Sequence, residues 1–226
     1  MLQWSEIDTV LLDMDGTLLD LHFDNYFWQV HLPKRWAEIA GISEHAATAE
    51  LTAEYQQLQG KLEWYCLDYW GKRLQLPITE LKREIMHKIQ MRADVPAFLT
   101  ALKQTGRHIV LVTNAHPDSL SLKLERTELA SYIEQLISTH EFGVTKESQL
   151  LWQRLQQRLG FELNRTLFVD DSLPILKSAQ QFGIKHLLAV ANPDSQKPHS
   201  QFAEFPAITD YNLLLPDIYQ QTALKV

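Results

Sequence analysis

The stretch Val10-Leu11-Leu12-Asp13-Met14-Asp15-Gly16-Thr17-Leu18-Leu19-Asp20 decides the fold. Its first three residues form a short continuous apolar run, the mark of a strand buried on both faces of a parallel sheet. The run ends in two carboxylates, Asp13 and Asp15, spaced two apart. Strand geometry puts both side chains on one side, and Gly16 lets the backbone turn close to a ligand. Open α/β sheets build their active sites where buried strands end. A lone Asp-x-Asp fits a solvated strand end equally well; the full Asp-Met-Asp-Gly-Thr string, with partners downstream, points to chemistry.

Downstream of this stretch the pattern turns helical from about Asp24 to Gln90, as in an insertion. Pro33, Gly41, Gly60, Gly71 and Pro77 punctuate it, which suits short helices joined by tight turns. Leu51, Tyr55, Leu58, Leu62, Tyr65 and Tyr69 recur at spacings of three and four, the period of one helical face. Ser43 and Thr79 are expected N-caps. The insertion is rich in aromatics: Phe23, Tyr26, Phe27 and Trp28, then Trp64, Tyr65, Tyr69 and Trp70. Most are expected in the core, with a minority, Trp28 or Tyr65, free to stack on a substrate.

From Asp94 strands and helices alternate. Asp94 and Pro96 read as a cap and first-turn proline for a helix ending at Gly106. His108 to Val112 predicts a strand that stops at Thr113 and Asn114, followed by a helix from Pro117 to about Glu128. Glu134 to Ser138, Thr166 to Val169 and Lys185 to Val190 predict three further strands. Glu147 to Leu159 and Pro174 to Phe182 predict the intervening helices, closed by Gly160 and Gly183. Past Asn192 the chain reads as irregular, apart from an apolar run at Tyr211 to Leu215. Such alternation implies a Rossmann-like parallel α/β sheet with right-handed crossovers, carrying an all-helical insertion. The expected division is residues 1–22 and 91–226 for the core and 23–90 for the insertion.

Composition narrows the chemistry. The 226 residues are 45% apolar and 22% charged, ordinary for a globular protein and against long disorder. A net charge of −7 without a long basic run argues against a nucleic-acid polymer as partner. Cys66 is the single cysteine, so no intramolecular disulfide forms; neither an oxidising compartment nor a cysteine-built zinc site is suggested, and Cys66 is expected as a small buried apolar residue. The nine histidines show no ligand spacing such as His-Glu-x-x-His and read as scattered, although His116 lies near Thr113 in sequence. No segment approaches the roughly 18 consecutive apolar residues of a membrane span, and the first residues do not read as a signal peptide, so the cytoplasm is the expected compartment.

Four motifs stand in order: Asp13-Met-Asp15-Gly-Thr, Thr113-Asn114, Lys146 and Asp170-Asp171. With them the chain resembles the haloacid dehalogenase (HAD)-like superfamily, whose first motif is Asp-x-Asp-x-Thr, and all four family motifs are matched. The resemblance implies a phosphomonoester hydrolase with a helical cap. Asp13 would be the nucleophile forming an aspartyl-phosphate, and Asp15 the acid and base. Thr113, Asn114 and Lys146 would bind phosphate, and the helix from Pro117 would add its positive end. Asp13, Asp170 and Asp171 facing a phosphate dianion would repel it. At an effective dielectric of about 20 and about 5 Å, each like-charge pair costs roughly 3 kcal/mol, so a hard divalent cation is required and Mg²⁺ fits. By resemblance Asp13 and Asp171 would ligate it directly, Asp15 through its main-chain carbonyl and Asp170 through water, with the order of Asp170 and Asp171 left open by the sequence. Many relatives have proline after the motif lysine, where this chain has Glu147.

Finer stretches, Phe23-Asp24-Asn25-Tyr26-Phe27-Trp28, Trp64 to Trp70, Thr113 to Pro117 and Asn192-Pro193-Asp194-Ser195, resemble the bacterial purine 5′-nucleotidases of that superfamily, which act on GMP and IMP. The implied substrate is a purine mononucleotide. Rivals are a sugar-phosphate phosphatase or phosphomutase with the same acids, and a dehalogenase, against which Asp15 counts. A phospho-accepting receiver module would be about half this length and would lack the helical insertion. A silent binding protein would be expected to have lost one of the motif residues.

Overall fold

Each inner strand carries apolar side chains on both faces, so the sheet must be covered by helices on both sides. The computed structural model describes residues 2–223. Its strands are β1 (Thr9–Leu12), β2 (His108–Thr113), β3 (Gln135–Ser138), β4 (Thr166–Asp170), β5 (His186–Val190) and β6 (Ala207–Ile208). All pairings are parallel and the order is β3-β2-β1-β4-β5-β6. The central strand β1 sets Val10 beside Ile109 on one side and Leu167 on the other. Val10, Leu12, Ile109, Leu111, Leu167 and Val169 enter one core, while Leu11, Val110, Val112 and Phe168 enter the other. The chain leaves β1 for β2 on one side and later returns to β4 on the opposite side. That reversal brings the carboxyl ends of β1, β2 and β4 together, the place where open sheets bind ligands.

Between β1 and β2, residues 22–88 contain helical elements and turns. They are α1 (His22–Tyr26), a π-helical turn (Phe27–His31), α2 (Leu32–Ala40), α3 (Glu44–Leu58), α4 (Leu62–Tyr65), α5 (Leu67–Leu74), α6 (Ile78–Glu84) and a 3-10 turn (Met86–Lys88). Around the sheet follow α7 (Val95–Gln104), α8 (Pro117–Arg126), α9 (Leu129–Tyr132), α10 (Gln149–Leu159), α11 (Leu173–Phe182) and α12 (Leu215–Ala223). No helix among the described residues is long and apolar enough to cross a membrane.

Several local expectations are corrected. The Leu51 to Tyr69 periodicity does not lie on one helix: it spans α3, α4 and α5, broken at Gly60, with φ +79°, and at the extended Cys66. Ser43 caps α3 by accepting from the Ala46 N–H at 3.2 Å, but Thr79 lies inside α6 rather than before it. Asp94 occupies the N-cap position of α7 with Pro96 in the first turn, as expected, but its carboxylate makes no capping bond and accepts instead from the Tyr211 N–H at 2.7 Å. The helix from Pro117 stops at Arg126, and a separate short α9 follows. The helix expected from Glu147 starts at Gln149 on a Ser148 cap, which frees Glu147 for the site. The region past Asn192 contains β6 and α12, which were not foreseen.

The apolar run at Tyr211 locks the far end of the chain beneath the first motif. The Tyr211 ring stacks on Phe98 with centroids 4.3 Å apart, and its hydroxyl donates to the Thr17 carbonyl at 3.2 Å. Tyr211→Phe leaves that buried carbonyl unpaired, so it should cost about 1 kcal/mol in a urea titration, whereas Tyr211→Ala should cost about 3–5 kcal/mol.

Candidate active site

The loop after β1 is tied tightly to the sheet. The Asp13 N–H donates to the Val169 carbonyl at 3.0 Å, and the Met14 carbonyl accepts from both Leu18 and Leu19. Gly16 has φ +84°, and a Cβ there would lie 2.7 Å from Oδ2 of Asp171 and 2.9 Å from Pro193. Glycine is therefore required by both backbone angle and the close approach of the last acid pair.

Four of the motif side chains, Asp13, Lys146, Asp170 and Asp171, meet at this sheet edge. Lys146, 1% exposed, donates through Nζ to Asp13 and to Oδ2 of Asp170, the latter at 2.7 Å. The second oxygen of Asp170 accepts from the Ser172 N–H at 2.8 Å, so both its oxygens are engaged. Carboxylate oxygens of Asp13, Asp170 and Asp171 lie within 4.8 Å of one another. Burial pushes the Asp13 carboxyl up to about 6; Lys146 opposes that rise and Asp170 adds to it. Burial, then the charges of Asp170 and Asp13, hold Asp171 well above the ordinary range. Burial alone would lower Lys146, but Asp13 and Asp170 outweigh it and keep the ammonium charged.

Asp15 faces a second cluster, which sequence reasoning missed. Its carboxylate pairs with Nζ of Lys123 at 2.6 Å. Lys123 also donates to Asp24 at 2.7 Å, and Asp24 in turn accepts from Lys82 at 2.8 Å. Burial, reinforced by Asp24 and Asp13 and opposed by Lys123, raises Asp15 to about 6. Burial would raise Asp24 as well, but the two lysines outweigh it and hold Asp24 down at about 2. Lys123 lies on α8 and Lys82 on α6, so the cluster joins the inserted helices to the sheet. No motif marks either lysine in the sequence; their burial, each 1% exposed, does.

Thr113 and Asn114 end β2 beside Lys146. Thr113 Oγ1 accepts from the Ala115 N–H at 3.0 Å. The Asn114 amide oxygen accepts from the Lys146 N–H at 2.9 Å and from the Thr139 hydroxyl at 3.0 Å, and its amide nitrogen donates to Glu147 at 3.0 Å. That side chain is committed to holding the lysine segment, which leaves only its main chain for an anion. Glu147 also accepts from the Tyr65 hydroxyl at 3.0 Å. The residue standing where many relatives have proline therefore links α4 to the end of β2, and Lys146 still reaches Asp13 and Asp170.

Above these acids lies a cavity of about 310 Å³, walled by Trp28, Tyr55, Trp64 and Tyr65, with Asn25 and Gln29 at its polar side. Trp28 packs on Trp64 with centroids 6.1 Å apart. The aromatics thus serve as core and lining at once. The π-helical turn widens the backbone at Trp28, a distortion common at functional sites.

A family model described as haloacid dehalogenase-like hydrolase matches residues 7–183, which include the four motifs. The chain belongs to this family. Among its relatives, the hydrolase is 46% identical over 215 residues to the GMP/IMP nucleotidase YrfG of Escherichia coli (strain K12), covering 95% of this chain and 97% of that protein. It is 24% identical over 186 residues to an (S)-2-haloacid dehalogenase of Pseudomonas sp. (strain YL), covering 78% and 80%. A crystal structure of a HAD phosphatase from Thermococcus onnurineus shares the hydrolase's fold, with TM-score 0.76 at 24% identity over 92% of this chain and 96% of that one.

The acids of the hydrolase trade stability for proximity. A carboxyl raised in the folded state binds protons that the unfolded chain does not, so stability falls as pH rises from about 4 through the raised value. Asp171→Asn removes one such charge and should raise Tm by about 3 °C at pH 8 in chelator, a gain that vanishes near pH 4. A lower Tm across that range would contradict this electrostatic account.

Proposed function

We propose that the hydrolase removes phosphate from purine 5′-mononucleotides, GMP and IMP, through an aspartyl-phosphate on Asp13. The substrate reading is carried by the 46% identity with YrfG over nearly the full length of both chains. The aromatic cavity over the acids supports it, since flat rings and amides suit a purine base. The inserted helices, residues 23–90, are the cap that encloses the substrate above the core.

Three carboxylates with one ammonium among them form an all-oxygen donor set with excess negative charge, which fits a hard cation such as Mg²⁺. Asp13 and Asp171 would hold it directly, with the Asp15 main-chain carbonyl. Asp171 suits direct contact because Asp170 has both oxygens engaged by Lys146 and Ser172. When bound, Mg²⁺ neutralises the acids and polarises the phosphoryl oxygens.

An Asp13 oxygen attacks phosphorus in line as the bond to the nucleoside 5′-oxygen breaks, and Asp15 gives that oxygen its proton. Asp15 then takes a proton from water, which attacks phosphorus and frees Asp13. Lys146 holds Asp13 in place and, with Thr113 and the main-chain N–H groups beside it, takes up phosphoryl charge. Lys123 keeps Asp15 aimed at the ester oxygen, and the Glu147–Tyr65 contact closes the wall over the reaction.

Phosphate release should be measured from GMP, IMP, AMP, pyrimidine mononucleotides and sugar phosphates, with Mg²⁺ and with chelator. GMP and IMP should lead, chelator should stop release, Asp13→Asn should abolish it, and Asp15→Asn should slow it by about 10²–10⁴-fold. Release from sugar phosphates alone would discard the substrate and keep the mechanism; turnover by Asp13→Asn would discard the mechanism.

The pH profile tests the role of Asp15. As an acid with a pKa near 6, it is protonated below that value, so kcat/KM should fall on the alkaline side of about pH 6. Lys123 lowers the Asp15 pKa, so Lys123→Met should move that limb to higher pH. A limb that stays in place would rule out Asp15 as the titrating acid.

A further inference from the structure

The inserted helices and the core meet at a second group of metal-ligating side chains, one of which, His116, also lines the cavity over the acids. Cys66 lies between α4 and α5, His116 caps α8 and His140 follows β3. Their ligand atoms all lie within 4.8 Å of one another, although 50 residues separate the first two in sequence. The His116 and His140 rings stand edge to face, with centroids 5.1 Å apart. Nε2 of His140 is buried and has no hydrogen-bond partner among the described residues. The Asn114 main-chain carbonyl interacts with the same imidazole, a partner for the N–H that a metal-bound ring keeps. Nε2 of His116 is 3.6 Å from a carboxylate oxygen of Asp68. Asp68 is exposed, so it is free to turn toward this group.

We propose that Cys66, His116 and His140 bind one Zn²⁺, with Asp68 as the fourth donor, and that the ion clamps the inserted helices to the core. A soft thiolate with two imidazoles selects zinc over magnesium. Tetrahedral zinc with Zn–S of about 2.3 Å and Zn–N of about 2.0–2.1 Å needs donors about 3.3–3.6 Å apart, a contraction of about 1.5 Å at most from the separations present. Binding releases the Cys66 thiol proton to solvent. His116 takes the tautomer protonated at Nδ1, and the Asp118 carboxylate, 3.9 Å from that nitrogen, accepts its hydrogen bond in place of the long 3.3 Å cap from the Asp118 N–H. The site does not depend on which phosphomonoester the enzyme cleaves.

Cobalt reports the ligands. Titrating the chelator-treated full chain with Co²⁺ should produce a thiolate-to-cobalt charge-transfer band and intense tetrahedral visible bands, saturating at one ion per chain and displaced by Zn²⁺. The oxygen-only acid cluster can produce neither. Cys66→Ser should remove the charge-transfer band, and His140→Gln, which keeps the thiol, should collapse the tetrahedral intensity. Zn²⁺ at about a hundredfold excess over its Kd should raise Tm by about 5 °C in the wild-type chain and by less in both variants. No charge-transfer band in the wild-type chain, or a tetrahedral intensity unchanged in His140→Gln, would overturn the site.

Discussion

Burying several carboxylates at one sheet edge is the constraint on which the rest of this structure depends. Asp13, Asp170 and Asp171 crowd within ligand distance, and burial drives each of them toward the protonated form. Lys146 supplies one positive charge between two of them. A second buried lysine, Lys123, does the same for Asp15 and Asp24, with Lys82 behind it. A buried charge without a partner would be far costlier than one in such a chain, so each lysine must be fixed by surrounding structure. Asn114 fixes the Lys146 segment, and α8 and α6 carry the other two. The acids remain short of positive charge, and that shortfall is what makes them receptive to a cation and a phosphoryl group.

The same polar contacts join the inserted helices to the sheet. Asp24 on α1 meets Lys123 on α8, Tyr65 meets Glu147, and the Thr145 hydroxyl donates to the Gly60 carbonyl at 3.0 Å. Near the hinge, Asn25 donates to the buried Asp194 at 2.6 Å, and the Leu21 N–H reaches the Pro193 carbonyl at 2.8 Å. Apolar packing joins them as well: Phe23, Phe27 and Trp70 belong to the same buried cluster as Val10 and Leu12. Asp24, Asn25, Tyr65 and Lys123, which make these contacts, also line the cavity.

Much of this was legible in the residues themselves. Continuous apolar runs at β1, β2 and β4, each ending in Asp or Thr, identify buried parallel strands whose ends face a ligand, and the four motifs name the chemistry. Legibility failed where an element's identity rests on its partners. Thr79 has cap chemistry but lies inside α6, and Asp94 stands at the N-cap of α7 while its carboxylate is drawn to Tyr211, more than a hundred residues away. β6 and α12 carry weak local patterns and exist through packing on β5 and α7. Glu147 read as a departure from the family pattern and is a bridge.

What the sequence by itself determined is the parallel sheet, the helical insertion and the acids at the strand ends, since these follow from short-range periodicity and from motifs within a few residues of one another. What only the tertiary structure decided is which charges and ligands meet. Lys82, Asp24 and Lys123 form one chain of ion pairs, and the single cysteine faces two histidines that had read as scattered. The reason is physical: helical and strand periods act through neighbours along the backbone, whereas a buried charge or a ligand set is defined by distance through space. Crossovers of dozens of residues erase any local trace of that distance.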